Sequence, residues 1–443
     1  MYPSQGLLKA LNDIRETSIQ NNTLYHRQVP FVDATTSITA FGQPILQNPE
    51  VANEFISALV NRIAYTSVMV KNFNNPLNQL KGEEIPLGYA GQNIYINPAQ
   101  AREYNVNDFA GLLVKYEADV KVEYTVKNID IQYPVSITRQ ELKKAFTSWG
   151  DFERFIDSIV NSLYNGLYIT QYNLTKGLVS SAYKNNAARI ETVTVPTNRN
   201  EWRDFVANMR GFFLNMLAPS REFNAWYKMG GEGRPVVTWN EAQDTVLLIR
   251  NDILSQVSVQ VLSAAFNMSE AEFLGRVIGI DNFDEYDADG NKIFDGSKIL
   301  CMLADRRWFK INDQETFIDQ FYNANNRVWN YYLNYVSQYS SSLFANAVIF
   351  ATQEPVVELT SLTFPTATAT IPAVGEEIVL RVNTNPRGAT SEITYTNSDE
   401  DATFTIEKID NKTVKLIGVS AGTATLTASA NGHSATISVT VSE

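Results

Sequence analysis

The sequence predicts an α+β chain in two parts: a mixed helical and extended body to about residue 355, then an all-β sandwich over 356–443. Three observations carry this. An apolar stripe at helical spacing runs through 152, 155, 156, 159, 160, 163, 164, 167 and 168. Two stretches, around 120–137 and 329–335, alternate at period 2. Beyond TQEPVVE the texture changes to short Thr- and Val-rich runs with no helical period and no Trp, all six tryptophans lying before it.

Taken in order, residues 1–48 form an arm poor in periodic signal. Asn48-Pro49-Glu50 then starts a helix, with Asn as N-cap, Pro at the first helical position and an acid in the first turn. Val51, Phe55, Leu59 and Ile63 keep one apolar face. An extended region follows, about 83–137. Val120, Val122, Tyr124 and Val126 alternate with Lys121, Glu123, Thr125 and Lys127, and from Ile129 the apolar set falls on odd numbers. A parity slip of this kind moves side chains to the other face, so a bulge or bend is expected near Lys127-Asn128. A long two-faced hairpin is poorly stable alone and needs a partner surface.

The strongest element is a spine helix over 148–186, with Ser148 as N-cap and Asp151 three residues on. It would span roughly 55 Å at 1.5 Å per residue, a length that suits a scaffold better than a compact enzyme. A second helix runs from Asn200. After the glycine-rich loop MGGEGRP a compact α/β stretch is expected, with TVLLI, RVIGIDNF and KILCMLA as strands and ILSQVSVQVLSAAF and SEAEFLG as helices. Strands close the body over 319–353, with Trp329, Tyr331, Leu333 and Tyr335 on one face of a long strand. Pro355 marks a linker. The tail reads as about seven strands: ELTSLTF, EEIVLRVN, EITYTN, TFTIEKI, TVKLIGV, TATLTAS and ATISVTV. This is the texture of an immunoglobulin-like sandwich.

Composition excludes several functions. Charged residues at 19% and apolar residues at 44% suit a folded chain, and 443 residues suffice for a large core. The net charge of −12, without any basic run, argues against tight binding to phosphate backbones. One cysteine, Cys301, permits no intrachain disulfide or thiolate zinc site, and it is expected buried on a strand. The two histidines, His26 and His433, are about 400 residues apart. The first twenty residues lack a signal-peptide apolar core, and no run approaches the ~20 apolar residues of a membrane span, so a cytoplasmically made, soluble chain is expected.

GVSAG at 418–422 fits the nucleophile-elbow pattern G-x-S-x-G around Ser420. The elbow requires a helix after the serine, but TATLTAS is an alternating strand. No acid lies between Ser420 and His433. Gly418, Ser420 and Gly422 are therefore read as a turn of the tail. Asp287, Asp289 and Asn291 match calcium-loop spacing, but Lys292 and Lys298 stand where Gly and Glu are required, so a polar hairpin tip is expected. The glycines of MGGEGRP lack phosphate-loop spacing. No catalytic, cofactor or metal residue is assigned.

Several long motifs then resemble one family. They are NNPL and IPLG (Asn74 to Leu77, Ile85 to Gly88), AFTSWGDFERFIDSIVNSLYN from Ala145, and AFNMSEAEFLGRVIGIDNF from Ala265. DRRWF from Asp305, WNYY from Trp329 and FANAVIF from Phe344 complete the set. The chain resembles the major capsid proteins of small short-tailed phages of the phi-29 type. The tail is similar to bacterial immunoglobulin-like domains of group 2, through PAVGE at 372, ITYTNS at 393 and GVSAGTATLTA at 418.

The resemblance implies a Hong Kong 97 (HK-97)-type capsid fold: N-terminal arm, extended loop over 83–137, spine helix, and axial domain over 219–318. It implies self-assembly into pentamers and hexamers, with a scaffolding protein and a portal as partners. The icosahedral or prolate head encloses double-stranded DNA without specific binding, and the chain locates to the virion after synthesis in the host cytoplasm. Asn105, Asn107 and Asp108, at the loop tip, are candidate assembly contacts. The surface sandwich is expected to stabilise the head or to meet a head fibre or host glycan. The competing reading is a secreted glycan-binding or adhesion protein.

Overall fold

A computed structural model describes residues 5–20, 24–63, 73–102, 115–226, 228–229, 233–257, 276–287, 291–400 and 402–443. It divides into two compact units. One comprises Met1–Gly91, Thr125–Thr175 and Ile311–Tyr339; the other comprises Gln92–Tyr124, Lys176–Lys310 and Ser340–Glu443.

In the first unit the expected arm is largely helical: Gln5–Gln20, Leu24–Gln28 and Ile38–Gln47 precede the anticipated helix Pro49–Ile63. Leu7, Ala10, Leu11 and Ile14 are buried at i, i+3, i+4 and i+7, a stripe of only two turns. The connections are pinned by polar groups. Asn12 exchanges two hydrogen bonds with the Val32 backbone, 2.7 and 2.9 Å, and the Glu54 carboxylate accepts from the backbone N–H groups of Leu24 and Tyr25. Ser37 caps Ile38–Gln47 by accepting from Ala40 N–H, and the Asn48 side chain accepts from Glu50 N–H at 3.0 Å. Phe41 and Phe55 are fully buried and join Phe146, Trp149 and Phe152 in one aromatic cluster with centroids about 6 Å apart.

The spine starts where expected. Ser148 Oγ accepts from Asp151 N–H at 3.1 Å and donates to the Asp151 carboxylate at 2.7 Å. It is not one regular helix. Trp149–Val160 passes into a π-helical turn, Asn161–Asn165, before Gly166–Lys184 resumes. One π turn shifts the face that follows, which a stripe counted at 3.6 residues per turn hides. The helix ends on Asn186, left-handed at φ 53°, with Ala187 N–H reaching back to Ala182 C=O at 2.7 Å.

Strand Ile129–Thr138 pairs antiparallel with Val328–Ser341, Tyr331 opposite Val135 and Tyr335 opposite Ile131, and Phe309–Asn323 completes a three-stranded sheet. Trp329, Tyr331, Leu333 and Tyr335 face inward as their alternation predicts. Within the extended region 83–137, Val120–Thr125 does not pair with Ile129–Thr138. Val120–Thr125 pairs with Gly91–Ile96 instead, so the parity slip at 127–128 marks the exit from one sheet and entry into another.

The second unit is built on a five-stranded mixed sheet ordered Arg189–Thr192, Ala347–Ala351, Ile299–Asp305, Thr245–Arg250, Val277–Ile280. Two of its five strands, Arg189–Thr192 and Ala347–Ala351, come from either side of 219–318 in sequence. The middle strand Ile299–Asp305 is buried at every position, which its run ILCMLA anticipates. Cys301 packs there, its Sγ 3.6 Å from Met209 Sδ, and burial pushes its thiol pKa up, away from reactivity. Helix Arg199–Met216, capped by Asn198 rather than Asn200, lays Phe205, Met209 and Phe213 on this sheet. The predicted helices over 253–266 and 269–275 lie outside the described residues beyond Asn251–Leu254 and Ser255–Val257. The second half of the spine is fastened in this unit by Lys176 to Asp281, 2.8 Å, and Ser180 Oγ to Phe283 C=O, 2.6 Å.

Residues 361–441 hold nine strands among the described residues, not seven. EEIVLRVN divides at buried Val382: Glu377–Arg381 pairs with Thr413–Gly418, while Asn383–Asn385 pairs with Ser361–Thr363. Thr368–Ile371, unanticipated in a Thr/Ala run of low hydrophobicity, pairs parallel with His433–Val441. The four-stranded and three-stranded sheets share a core of Ile371, Phe404, Leu416, Leu426, Ile437 and Val439.

Candidate assembly surface

The two-stranded ribbon Gly91–Ile96 and Val120–Thr125 has its polarity reversed. Asn97 N–H bonds to Asp119 C=O at 2.9 Å and Thr125 Oγ1 to Gly91 C=O at 3.3 Å, which sets an antiparallel register. On an antiparallel pair, Ile94, Ile96, Val120, Val122 and Tyr124 then share one face. That face is open: Ile96 is 60% exposed and Tyr124 67%. The other face, bearing Glu123 and Thr125, is the buried one.

The inward groups Glu123, Thr125 and Asn97 are engaged. Glu123 accepts from Ser342 Oγ and from Leu343 N–H, both at 2.7 Å. Thr125 Oγ1 donates to Gln338 Oε1 at 3.2 Å. Asn97 accepts from Val237 N–H at 2.9 Å and donates to the Asp119 carboxylate at 2.7 Å. That amide, with Lys121 at 2.9 Å, holds the Asp119 carboxyl below the usual carboxylate range. Lys121 also lies over the Trp226 ring. A buried carboxylate is tolerable only with such partners, so these bonds force the apolar face outward. Sequence reasoning missed this because alternation fixes which residues share a face, not which face meets the core.

A pH effect follows from Asp119. Its pKa is depressed on folding, so its contribution is complete above the ordinary carboxylate pKa of about 4 and fades as pH falls through its lowered folded value. The group is partly exposed, so solvent screening keeps the effect to a few tenths of a kcal/mol. Amide-exchange protection at Asn97 and Val237 is expected to drop selectively below about pH 4. An Asp119→Asn variant with an unchanged profile would refute this.

The predicted contacts Asn105, Asn107 and Asp108 lie between the ribbon strands but outside the described residues. Ser420 sits in the turn between Thr413–Gly418 and Gly422–Ala430, and its hydroxyl donates to Ala402 C=O at 2.6 Å. His433 opens the next strand, opposite Ala430. A Cβ on Gly418 would stand 2.9 Å from Val441, so the first glycine serves close packing. Asp287 and Asn291 bond to each other across a hairpin tip; Asp289 is outside the described residues. Among the described residues no cluster of His, Cys, Asp or Glu could hold a metal ion, and no helix is long and apolar enough to cross a membrane.

The fold has known counterparts. A chain in the capsid structure of Staphylococcus phage Andhra superposes with a TM-score of 0.52 at 14% identity, covering 64% of this chain and 85% of that one. A chain in the structure of head fiber and inner core protein of bacteriophage P68 gives 0.50 at 13%, covering 65% and 87%. The fold is thus of a class found in phage capsids. The model of the family described as Phi29-like phage major capsid protein matches residues 11–351, and the chain belongs to that family. The major capsid protein of Bacillus phage B103 is 29% identical over 365 residues, 82% of this chain and 76% of that protein. That of Bacillus phage PZA is 29% identical over 351 residues, 78% and 74%. The function is that of a phage major capsid protein, a structural component of the virion that assembles with itself, and the adhesion-protein reading is set aside. The family match stops at 351, short of the tail.

Proposed function

We propose that the chain builds its shell in the Hong Kong 97 manner, with residues 1–355 as the shell domain and 356–443 as an immunoglobulin-like domain of the bacterial group 2 type. The ribbon with its 97–119 connection is the extended loop, and it lies apolar face down on a neighbouring copy within pentamers and hexamers. The observation that carries this is the reversed ribbon: a sheet whose acid is buried and whose isoleucines are bare is half of an interface. The spine helix with its Ser148 cap, and the five-stranded sheet as axial core, fit the same order of elements. Scaffolding protein and portal are the partners of assembly. Double-stranded DNA is enclosed without specific binding, which suits a wall of net charge −12. Synthesis is in the host cytoplasm. The shell has no catalytic role, and Ser420 is a turn residue whose hydroxyl is engaged.

The immunoglobulin-like reading rests on a mostly antiparallel four-stranded sheet and an antiparallel three-stranded sheet packed through one apolar core without a disulfide. The domain stands on the outside of the head, stabilising it or meeting a fibre or host glycan. Electron microscopy of the chain co-expressed with its scaffold tests the whole reading, and closed shells with pentameric and hexameric units are expected. Monomers or irregular aggregates under all conditions would sink it. Deleting residues 356–443 is expected to leave shell formation largely intact, because spine, ribbon and five-stranded sheet all precede Pro355. A truncation that folds but never closes a shell would assign the tail a bridging role instead.

A further inference from the structure

Within the second unit, a cavity of about 480 Å³ opens where the end of the spine and the start of the five-stranded sheet meet the sandwich. Its lining is out of character for an acidic chain. Arg189, Arg221 and Lys228 converge on it from the body, and Arg381 and Lys412 from the sandwich. Three carboxylates, Glu222, Glu354 and Asp410, oppose these five cations, leaving the formal balance at +2 in a chain of −12.

Several of these cations are held in place. The Arg189 guanidinium lies over the Phe212 and Phe223 rings and pairs with Glu222 at 3.0 Å. Its Nε is buried, and among the described residues no acceptor reaches it. Lys228 Nζ donates to Ala188 C=O at 2.8 Å and Lys412 Nζ to Arg387 C=O, so each ammonium is fixed while keeping two further N–H donors. The two sides are docked closely. Asn186 Nδ2 donates to Gly388 C=O at 3.2 Å, and a Cβ on Gly388 would stand 1.8 Å from Asn185 O.

We propose that this cavity binds a small phosphate-class dianion, clasped between Arg189 and Lys228 of the body and Arg381 and Lys412 of the sandwich. The volume is in the range of small-ligand pockets. Guanidinium and ammonium donors from several directions are the chemistry that recognises phosphate oxygens. The electrostatics agree. Burial pushes both Lys228 and Lys412 down to about 8; Glu354 opposes this at Lys228 while Lys412 and Arg189 add to it, and Arg381 adds to it at Lys412 while Asp410 opposes. A bound dianion relieves that strain, so binding takes up protons near pH 8 and weakens above it.

The test is calorimetric titration of the full chain with inorganic phosphate at pH 7 and constant ionic strength, with chloride as control and a single-stranded oligonucleotide as a second arm. Saturable one-to-one binding in the sub-millimolar to millimolar range is expected, with little from the oligonucleotide. Lys228→Gln and Lys412→Gln are each expected to weaken it about tenfold or more. Asp410→Asn, which removes an opposing carboxylate, is expected to tighten it several-fold. It also keeps the test decisive if a lysine variant misfolds. Absence of saturable phosphate binding, binding indifferent to all three substitutions, or capture of the oligonucleotide in preference to phosphate would each overturn the proposal.

Discussion

Ile96→Asp is expected to leave the isolated chain folded and to abolish closed shells. Ile96 stands on the open face of the ribbon, 60% exposed, so the carboxylate meets water in the free chain and costs under about 0.5 kcal/mol there. Under a neighbouring copy the same carboxylate would be stripped of water without a partner, a cost of several kcal/mol at every copy of the interface. The lost isoleucine burial adds about 1.5–3 kcal/mol. The concentration needed for assembly should rise by far more than tenfold, measured by sedimentation and electron microscopy, while the unfolding midpoint stays put. Glu123→Leu supplies the contrast. Ser342 Oγ and Leu343 N–H lose their acceptor on the inward face, so that variant should lose stability first. Normal shells from Ile96→Asp would mean that the apolar face is not an assembly contact.

Phe41→Ala is expected to carry the largest loss of stability, about 3–5 kcal/mol, which is a large part of the 5–15 kcal/mol typical of a whole domain. Phe41 is fully buried, and its ring touches Phe55, Phe146, Trp149 and Phe152. Removing it opens a cavity that four rigid rings cannot readily collapse into. Denaturant unfolding followed by tryptophan fluorescence reports it, since Trp149 stacks on Phe41 with ring planes 24° apart. Phe321→Ala, at an exposed position, should change stability by no more than about 0.5 kcal/mol. Equal effects from the two variants would show that the N-terminal helices are not docked on this cluster.

Local signals were legible wherever one short-range rule decided the outcome. Ser148 and Asp151 cap the spine because a hydroxyl and a carboxylate three residues apart reach each other across one turn. Asn48-Pro49-Glu50 works the same way. Trp329 to Tyr335 face inward because a strand has period 2. The failures lie where a distant partner decides. Leu7 to Ile14 bury one face of a helix, yet the stripe is short in the sequence. Thr368–Ile371 is a strand because His433–Val441 lies beside it, some seventy residues away. The ribbon's orientation depends on Ser342 and Leu343, more than two hundred residues from Glu123. The cationic cavity gathers Arg189, Lys228, Arg381 and Lys412 from segments with no shared motif, so no pattern search along the chain would assemble it.

The order of strands also sets a timetable. The five-stranded sheet becomes complete when Ala347–Ala351 is available to slot between Arg189–Thr192 and Ile299–Asp305. The sandwich must wait longer, because His433–Val441 lies between Thr368–Ile371 and Gly422–Ala430 and supplies Ile437, Val439 and Val441 to the core. Ninety residues separate position 351 from position 441. At about 5–20 residues per second of synthesis, the body has a lead on the order of 5–20 s. During that interval the unfinished tail is a tethered segment beside a body whose five-stranded sheet is already complete. Body folding and tail folding therefore run in sequence, and slowed translation across 356–441 would widen the gap between them.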